Sequence, residues 1–192
     1  MNDYTILVNK DNRLSKDYIP SDLYVIDDNI GNFHNYKNPS LKPMLRLIIK
    51  PYVDAMLASA KESGFNIIVD SGYRSFLYQE KVLNELIKEK GNEAYKLVAL
   101  PGASEHQTGL AFDVAYLNNE IYSDDVKESD PEVKWLHKNA HKFGFILRYP
   151  KGKEHITGYQ YEPWHYRFVG LALAKLLHDK NITLEEYYNI YK

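Results

Sequence analysis

The sequence contains no cysteine. This absence excludes disulfide bonds, thiolate metal sites and cysteine nucleophiles. If the protein binds a metal ion, the ligands must therefore come from histidine, aspartate or glutamate side chains. Such a donor set suits a catalytic zinc ion better than a structural one.

The sequence also lacks a strong net charge and a long apolar run. Its formal net charge of −2 gives no electrostatic argument for a nucleic-acid partner or an anionic membrane surface. The amino terminus does not combine a basic start with an apolar core, as a secretory signal does. No apolar run approaches the length that crosses a bilayer. We therefore predict a cytoplasmic protein without a membrane segment.

No repeat, low-complexity tract or linker rich in Pro, Gly or Ser divides the 192 residues. An apolar content of 44% with 26% charged residues is typical of a soluble globular protein, and the length suits one domain. We predict a single domain over residues 1–192. Residues 1–45, rich in Asn, Asp, Pro and Tyr, are expected to pack on it as an extended arm.

Hydrophobic periodicity and capping signals predict the elements of this domain. Helices are predicted from Lys50-Pro51 to Gly64, over 75–90, from Pro131 to Phe143, after Gly170, and from Thr183, where Glu186 completes a capping box. Strands are predicted at 66–70, 109–116, 144–149 and 162–170, with turns at Pro101-Gly102 and Asn118-Asn119. Because strands and helices do not alternate regularly, we predict an α+β fold with a central antiparallel sheet flanked by helices.

The stretch SEHQTGLAFDV, residues 104–114, carries His106 and Asp113. A histidine in a glycine-bounded loop is usually a polar surface residue, so His106 alone has an ordinary explanation. Asp113 lies in an otherwise apolar strand, where a buried unpaired carboxylate would be costly. Since side chains alternate along a strand, Asp113 shares a face with Ala111 and Ala115, which would leave room for a ligand. The stretch is either a metal site or a turn that leads into a buried strand.

The stretch YEPWHYRFVG, residues 161–170, carries Glu162 and His165. Pro163 lies between them and lacks a backbone donor, which confines it to a sheet edge or a bulge. Such an irregularity can aim both side chains into one cleft, although a regular strand would place them on opposite faces. In the alternative interpretation both residues are incidental, and Trp164 and Tyr166 are core or surface aromatic residues.

Taken together, the two stretches supply His106, Asp113 and His165, a set of two imidazoles and a carboxylate. Three protein ligands leave a position for water on a tetrahedral zinc ion. A zinc-bound water has its pKa lowered to about 7 and can attack a carbonyl group at neutral pH. Glu162 is the candidate base that takes the proton of this water and passes it to the leaving amine. We predict one Zn²⁺ per chain.

A further candidate, Arg74, lies in the stretch SGYRS that follows the strand predicted at 66–70. It has an ordinary explanation as an exposed residue of a helix-start turn that Ser75 caps. In a functional role, an arginine at a strand end can pair with a carboxylate or stabilise a developing oxyanion. Gln79 lies about one and a half turns into the following helix and could point to the same cleft.

These stretches together resemble the zinc D,D-carboxypeptidases and D,D-dipeptidases of the vancomycin-resistance type, the VanY and VanXY group, with L,D-carboxypeptidase relatives. The resemblance rests on Ser-x-His-x-x-Gly-x-Ala-x-Asp at 104–113 and on Glu-x-Trp-His at 162–165. It covers most of the chain from about residue 45 onward, and further matching stretches are SGYRS (71–75), VALPG (98–102), GFILRYP (144–150), HITG (155–158) and TLEEY (183–187).

The resemblance implies a zinc D-Ala-D-Ala peptidase-like fold, with the three ligands named above on zinc and Glu162 as the catalytic base. It implies that Arg74 binds the carbonyl or terminal carboxylate of the substrate, with Ser104 and Gln79 as further substrate contacts. The implied reaction is removal of the terminal D-alanine from peptidoglycan precursors, such as a UDP-linked muramyl pentapeptide. Walls formed by Tyr73 and Trp164 would select the D residue.

One position departs from the pattern expected of members that cleave the free D-Ala-D-Ala dipeptide. Such members are expected to carry an acidic residue immediately before Gly-Tyr-Arg, where it could pair with the ammonium group of the dipeptide. Here Ser71 occupies that place, and Asp70 comes one residue earlier. A shift of one residue at a strand end turns a side chain to the other face. We therefore expect carboxypeptidase activity more than dipeptidase activity.

Two alternatives stay open at this stage. An L,D-carboxypeptidase acting on tetrapeptide stems would use the same motifs, because only the pocket distinguishes the two substrates. A non-catalytic zinc-dependent binding module would keep the ligands without turnover, and the presence of Glu162 beside a complete ligand set argues against it. The sequence is compatible with a monomer or a homodimer, and D,D against L,D preference is not decided by these motifs.

Overall fold

The computed structural model describes residues 3–26, 42–118 and 121–191. In these ranges the strands are β1 (Leu23–Val25), β2 (Met44–Arg46), β3 (Ile67–Ser71), β4 (Ala111–Asn118), β5 (Ile121–Ser123), β6 (Phe145–Leu147) and β7 (His165–Phe168). The helices are α1 (Lys50–Glu62), α2 (Phe76–Lys90), α3 (Ala94–Leu97), α4 (Pro131–Asn139), α5 (Glu154–Thr157), α6 (Leu171–Lys180) and α7 (Leu184–Tyr191). Short 3-10 turns lie between several of them.

The central sheet has the strand order β3-β4-β7-β6, and β5 pairs with the far end of β4. Each of these pairings is antiparallel. β1 and β2 form a separate antiparallel pair. The α+β class with a central antiparallel sheet, predicted from the order of the elements, is confirmed.

The core lies between this sheet and the helices packed against it. Helix α1 begins at Lys50 with Pro51 in its first turn, where the missing N–H of proline costs nothing. Its buried positions recur at helical spacing and join the residues of the central strands in one core cluster. Burial of a Val, Leu or Met side chain contributes roughly 1.5–3 kcal/mol, and that of the smaller Ala less. The buried α1 residues are Val53, Met56, Leu57 and Ala60.

Two capping signals read from the sequence have the expected geometry. The Ser75 hydroxyl accepts a hydrogen bond from the backbone N–H of Tyr78 at 3.1 Å, so Ser75 caps α2. At α7, Glu186 accepts from the N–H of Thr183 at 2.8 Å, and the Thr183 hydroxyl accepts from the N–H of Glu186 at 3.2 Å. This reciprocal pair is the predicted capping box.

Several predicted strand bounds were wrong by a few residues. β4 begins at Ala111 because Gly109 adopts a left-handed φ of 66° that ends the preceding 3-10 turn. β7 spans only His165–Phe168, so Glu162 and Pro163 precede the strand and do not lie in it. Proline has no N–H to donate to a ladder, which explains why pairing starts after it. β6 is likewise shorter than the predicted strand at 144–149.

Other differences concern helices and small elements. The helix predicted from Pro131 to Phe143 is α-helical to Asn139 and finishes as a 3-10 turn before Gly144, whose φ is 85°. A tightened last turn that leads to a left-handed glycine is a common helix end. The short strands β1, β2 and β5 and the four-residue helices α3 and α5 were not predicted from the sequence patterns.

The described part of the predicted arm packs on the domain. The Tyr4 ring contacts Phe168 edge to face at 5.5 Å, and the backbone N–H of Leu14 donates to the carbonyl of Gly102 at 2.9 Å. The rest of the arm at 27–41 and the second residue of the predicted Asn118-Asn119 turn lie outside the described residues. Among the residues that the structure describes, no helix is long and apolar enough to span a membrane.

Candidate active site

Pairing of β4 with β7 brings two of the predicted ligands together. Asp113 and His165 are direct partners in the antiparallel register, although 52 residues separate them. The His165 Nδ1 lies 2.9 Å from the Asp113 Oδ1. Side chains that are opposite each other in an antiparallel pair extend from the same face, so the register alone places both on one side of the sheet.

The third predicted ligand, His106, reaches the same place from a 3-10 turn. Its Nε2 lies 3.3 Å from the Asp113 Oδ2, and its Nδ1 lies 2.7 Å from the carbonyl oxygen of Gly72. A carbonyl only accepts, so Nδ1 carries the proton and Nε2 keeps its lone pair. A Cβ on Gly72 would lie 2.3 Å from the Met44 carbonyl oxygen, so the glycine allows the backbone of β2 to pack closely against this turn.

The three side chains fit a metal ion. Their ligand atoms lie within 4.8 Å of one another, and the two histidines are buried. Burial and the nearby Arg74 lower the pKa of His106 to about 4, so this imidazole is neutral at physiological pH. Burial alone would raise the pKa of Asp113, yet the two histidines hold it well below its usual range. A neutral imidazole and an ionised carboxylate are the forms that coordinate zinc.

His165 differs from His106 in its protonation before metal binds. Burial lowers its pKa, but the neighbouring carboxylates of Asp113 and Glu105 outweigh that effect and raise it to about 9. An ion that occupies the site must therefore displace a proton from this ring. Metal binding is expected to release protons for this reason.

Glu162 lies beside the three ligands without joining them. Its Oε2 is 3.8 Å from the His165 Nδ1. Burial raises its pKa to about 7, and the neighbouring Asp113 carboxylate adds to this effect. A carboxyl group with a pKa near neutrality can accept and return a proton with little cost in either direction. Glu162 therefore has the chemistry that a base in this cleft needs.

Arg74 and Gln79 form a hydrogen-bonded pair on one wall of the cleft. The Arg74 Nη2 lies 3.7 Å from the Asp113 Oδ2, and Nη1 donates to the Gln79 Oε1 at 3.3 Å. The Gln79 side chain in turn donates to the Ala99 carbonyl at 2.8 Å. The buried Arg74 Nε has no hydrogen-bond partner among the described residues. The guanidinium group therefore keeps donor capacity for a ligand, and Gln79 fixes its orientation.

The cleft has a volume of about 270 Å³, and most of the residues predicted to contact the substrate line it. Ser104, Gln79 and Trp164 line it, whereas Asp70, Ser71 and Tyr73 do not. The Tyr122 hydroxyl donates to Asp70, and Ser71 pairs with Asp113 after an irregularity in β3. Asp70, Ser71 and Tyr73, predicted as substrate contacts, therefore do not line the cleft, although Ser71 is a strand neighbour of Asp113.

Aromatic side chains that the sequence interpretation did not single out also line the cleft. They are Tyr149, Tyr159 and Tyr161. The Tyr149 ring lies 4.9 Å from the ring of His165, and the Tyr159 hydroxyl donates to the Ala103 carbonyl at 3.1 Å. The sequence signal for these residues was the presence of three tyrosines within the 13 residues that end just before Glu162.

Glu105, a fully buried acidic residue near the site, was also missed. Its Oε1 accepts hydrogen bonds from the Arg148 Nε at 2.8 Å and from the Arg167 Nη1 at 2.6 Å. Arg148 also makes a two-pronged pair with Glu185 of α7 at 2.9 and 2.6 Å. We call Glu105, Arg148, Arg167 and Glu185 the buried ionic network. An arginine in each of two apolar strand stretches, FILRY and HYRFV, was the signal that a buried acidic partner must exist.

This geometry is that of a candidate metal site with an adjacent base on an antiparallel α+β scaffold, and the comparisons with known proteins relate it to the zinc peptidases. Residues 42–171 match the family model described as VanY: D-alanyl-D-alanine carboxypeptidase. The putative carboxypeptidase YodJ of Bacillus subtilis (strain 168) is 44% identical over 186 residues, covering 95% of this chain and 66% of YodJ. A D-alanyl-D-alanine carboxypeptidase of Enterococcus faecalis (strain ATCC 700802 / V583) is 41% identical over 75% of this chain and 55% of that protein. The chain thus spans between half and two thirds of the length of these two relatives.

Solved structures give the same result. The LdcB LD-carboxypeptidase superposes with a TM-score of 0.83 at 39% identity, over 97% of this chain and 86% of that one. The D,D-pentapeptidase VanY of a VanB-type resistance cassette, solved in complex with Zn(II), superposes with a TM-score of 0.78 at 32% identity, over 97% and 99% of the two chains. The chain belongs to the VanY family of D-alanyl-D-alanine carboxypeptidases. The predicted family, fold and metallopeptidase class are confirmed, and the zinc prediction is supported by the Zn(II) complex and the His-Asp-His group.

Proposed function

We propose that this chain is a zinc-dependent carboxypeptidase that removes the terminal D-alanine from peptidoglycan stem peptides. One observation carries the proposal. The ligand set of His106, Asp113 and His165 shares a cleft with Glu162, a carboxyl group whose pKa burial raises to about 7. A metal ion held beside a base that titrates near neutrality can hydrolyse an amide bond, because the metal activates water and the base takes its proton.

In this reaction the side chains of the cleft have three roles: metal binding, proton transfer and stabilisation of negative charge. His106, Asp113 and His165 hold the zinc ion, which supplies a Lewis acid that polarises the scissile carbonyl and acidifies a water molecule. Glu162 takes a proton from the attacking water and returns it to the departing amine. Arg74, with free donor capacity on its buried Nε, places positive charge where the carbonyl oxygen becomes negative or where a terminal carboxylate sits.

Charges in the cleft favour a carboxypeptidase over a dipeptidase. A free dipeptide carries an ammonium group that needs an acidic partner in the cleft. Among the described residues, the carboxylates lining the cleft are Glu105, Asp113 and Glu162. Glu105 is bound by two arginines, and the other two have the ligand and base roles. Asp70, which the sequence offered as a partner, accepts from Tyr122 outside the cleft.

An L,D-carboxypeptidase acting on tetrapeptide stems is the second candidate, and one comparison favours it. The LdcB LD-carboxypeptidase has a higher TM-score and a higher identity than the zinc-bound VanY structure. The same ligands, base and arginine would serve this reaction, because the scissile bond again precedes a terminal D-alanine. The two candidates therefore differ only in the residue that the cleft accepts on the amino side of the cut.

One assay distinguishes these functions. Zinc-loaded protein is incubated separately with a pentapeptide stem, a tetrapeptide stem and D-Ala-D-Ala, and released alanine is detected by mass spectrometry. We expect release from the pentapeptide, and none after the metal is removed with a chelator. Release from the tetrapeptide alone would replace the D,D assignment with the L,D one. No release from any substrate would overturn the proposal and favour a non-catalytic zinc-dependent binding module.

A role in glycopeptide resistance is part of the same proposal. It is supported by the resistance cassette named for the VanY structure and by the 33% identity to the bifunctional VanXYC of Enterococcus gallinarum over 95% of this chain. Expression of the chain in a susceptible host should raise the minimal inhibitory concentration of vancomycin, and the Glu162→Gln variant should not. An equal effect of both proteins, or none, would remove resistance from the proposal. The cytoplasmic location and the UDP-linked precursor as substrate stay predictions.

A further inference from the structure

We propose that Glu105 is a positioning residue for the metal site. In this proposal its Oε2 accepts a hydrogen bond from the Nε2–H of His165, which leaves the lone pair of Nδ1 facing the cleft. The buried ionic network holds the carboxylate in place for this task. The inference rests on the proposed metal site, but it concerns the second nitrogen of a ligand and not the reaction.

Two buried atoms without a hydrogen-bond partner in the described part of the chain lie close to each other, one on Glu105 and one on His165. The Glu105 Oε2 and the His165 Nε2 are both buried, and neither has a hydrogen-bond partner among the described residues. They lie 3.6 Å apart. A hydrogen bond between them requires a closer approach by several tenths of an ångström, and such bonds are often long in ligand-free sites. Unsatisfied buried polar groups are costly, so the pairing resolves both at once.

The other oxygen of Glu105 explains why the carboxylate faces His165 in this way. Arg148 and Arg167 both donate to Oε1, which leaves Oε2 as the free acceptor. Arg167 is further fixed through Nη2 by the backbone carbonyls of Tyr4 and Ile6. The Glu105, Arg148 and Arg167 side chains are 0% exposed. The carboxylate therefore has no solvent to turn toward.

The two nitrogens of His165 have opposite surroundings. Nδ1 faces the cleft, where it lies 2.9 Å from the Asp113 Oδ1 and 3.8 Å from the Glu162 Oε2. Nε2 faces the buried ionic network. A proton on Nδ1 would block coordination, whereas a proton on Nε2 leaves Nδ1 free. An acidic acceptor behind a metal-ligating histidine fixes the useful form, and loss of such a partner typically costs 10–100-fold in metal affinity.

The Glu105→Gln variant tests this with almost no change in shape. Two arginine donors point at the Oε1 position, so the amide oxygen must stay there and the NH₂ group must face His165. A donor then meets the Nε2–H, and the favoured proton shifts to Nδ1. We expect zinc affinity, measured by competition with a chromogenic chelator, to fall by about 10–100-fold.

The matched control is Glu185→Gln. Glu185 supplies the same charge to the same network, but its contacts are with Arg148 and Asn9. Both variants remove one buried negative charge, so similar losses of thermal stability are expected. Only Glu105→Gln should lose zinc affinity by tenfold or more. Equal losses of affinity in the two variants, or unchanged affinity in Glu105→Gln, would overturn the proposal.

A measurement on the unmutated protein keeps the test open if Glu105→Gln does not fold. In the zinc-loaded protein, ¹⁵N NMR of the histidine side chains reports which nitrogen of His165 carries its proton. We expect a slowly exchanging proton on Nε2. A proton on Nδ1, or a protein that binds no zinc, would refute the positioning role. Failure of peptide cleavage with these zinc results intact would refute the proposed function alone.

Discussion

Two groups of charged side chains meet at His165, and they differ in how fully their charges are paired. On the cleft side, Glu162 can exchange a proton near neutral pH, and Arg74 has a hydrogen-bond donor that no described residue accepts from. Burial raises the pKa of Glu162 to about 7, and the Arg74 Nε has no partner in the described part of the chain. On the other side, Arg148 and Arg167 are bound by carboxylates and backbone carbonyls.

The difference shows where this domain keeps its reactivity. A buried pair with full hydrogen bonding fixes geometry, and breaking it by removing one partner is strongly destabilising. A partly satisfied group beside a ligand set costs stability in the empty protein but can act on a substrate. His165 belongs to both groups through its two ring nitrogens. The buried ionic network lies beside Nε2, whereas Nδ1 faces the cleft and the groups that could act on a substrate.

The largest effect is expected on turnover from the cleft side. Replacing Glu162 with Gln removes the proton acceptor while it leaves the three ligands in place. We expect kcat to fall by about 10²–10⁴-fold, the range for loss of a general base. Zinc content, measured by atomic absorption, should stay at the wild-type value. The exposed Glu62→Gln at the end of α1 is a control that should keep full activity. Turnover near wild type in Glu162→Gln would remove the base role.

The next effect is on stability from the network side. Replacing Arg148 with Met leaves Glu105 and Glu185 buried with one fewer partner each. We expect the free energy of unfolding to fall by about 3–5 kcal/mol in urea denaturation. Replacing Arg74 with Met should change it by no more than about 1 kcal/mol, because that side chain is partly exposed and its ion pair is long. Similar losses for the two arginines would break the distinction between the two groups.

The smallest effect concerns the pH dependence of stability in the metal-free protein. The folded state keeps the Glu162 proton up to about pH 7, whereas the unfolded chain releases it near the ordinary value of 4.5. Glu162 therefore contributes stability below the unfolded pKa, and this contribution is lost as pH rises through the folded pKa. At about pH 8 the charged form costs up to about 3 kcal/mol, since one pKa unit is worth about 1.4 kcal/mol.

The Glu162→Gln protein should not lose this stability at high pH, because glutamine does not ionise. In the presence of a chelator, its free energy of unfolding should exceed that of the wild type at about pH 8 and approach it at about pH 4. The comparison between the two proteins cancels the opposite slope of His106, whose folded pKa is lowered to about 4. A constant difference between pH 4 and 8 would show that Glu162 is not desolvated in the metal-free cleft.

The candidate site was largely predictable because its residues carry signals in short stretches. His106 and Asp113 lie in one eleven-residue stretch, and Glu162 and His165 in another. The structure brings these residues into one cleft, as the sequence analysis expected. Glu105 was missed although it adjoins His106, because nothing local distinguishes a buried acid from an exposed one. Its role depends on Arg148 and Arg167, which lie 43 and 62 residues away.

Local sequence signals were enough to predict the Ser75 cap of α2, the capping box of α7 and the apolar stripe of α1. Caps and periodicity act within a few residues, so no distant partner is needed to predict them. The fold as a whole placed Asp113 opposite His165 on two paired strands and the Gly72 carbonyl against the His106 ring. It also determined that the charges of the buried ionic network are paired away from solvent, whereas Glu162 and Arg74 face the cleft. Strand register and burial arise from contacts between distant segments, because each buried charge is stable only beside the partner that folding brings to it.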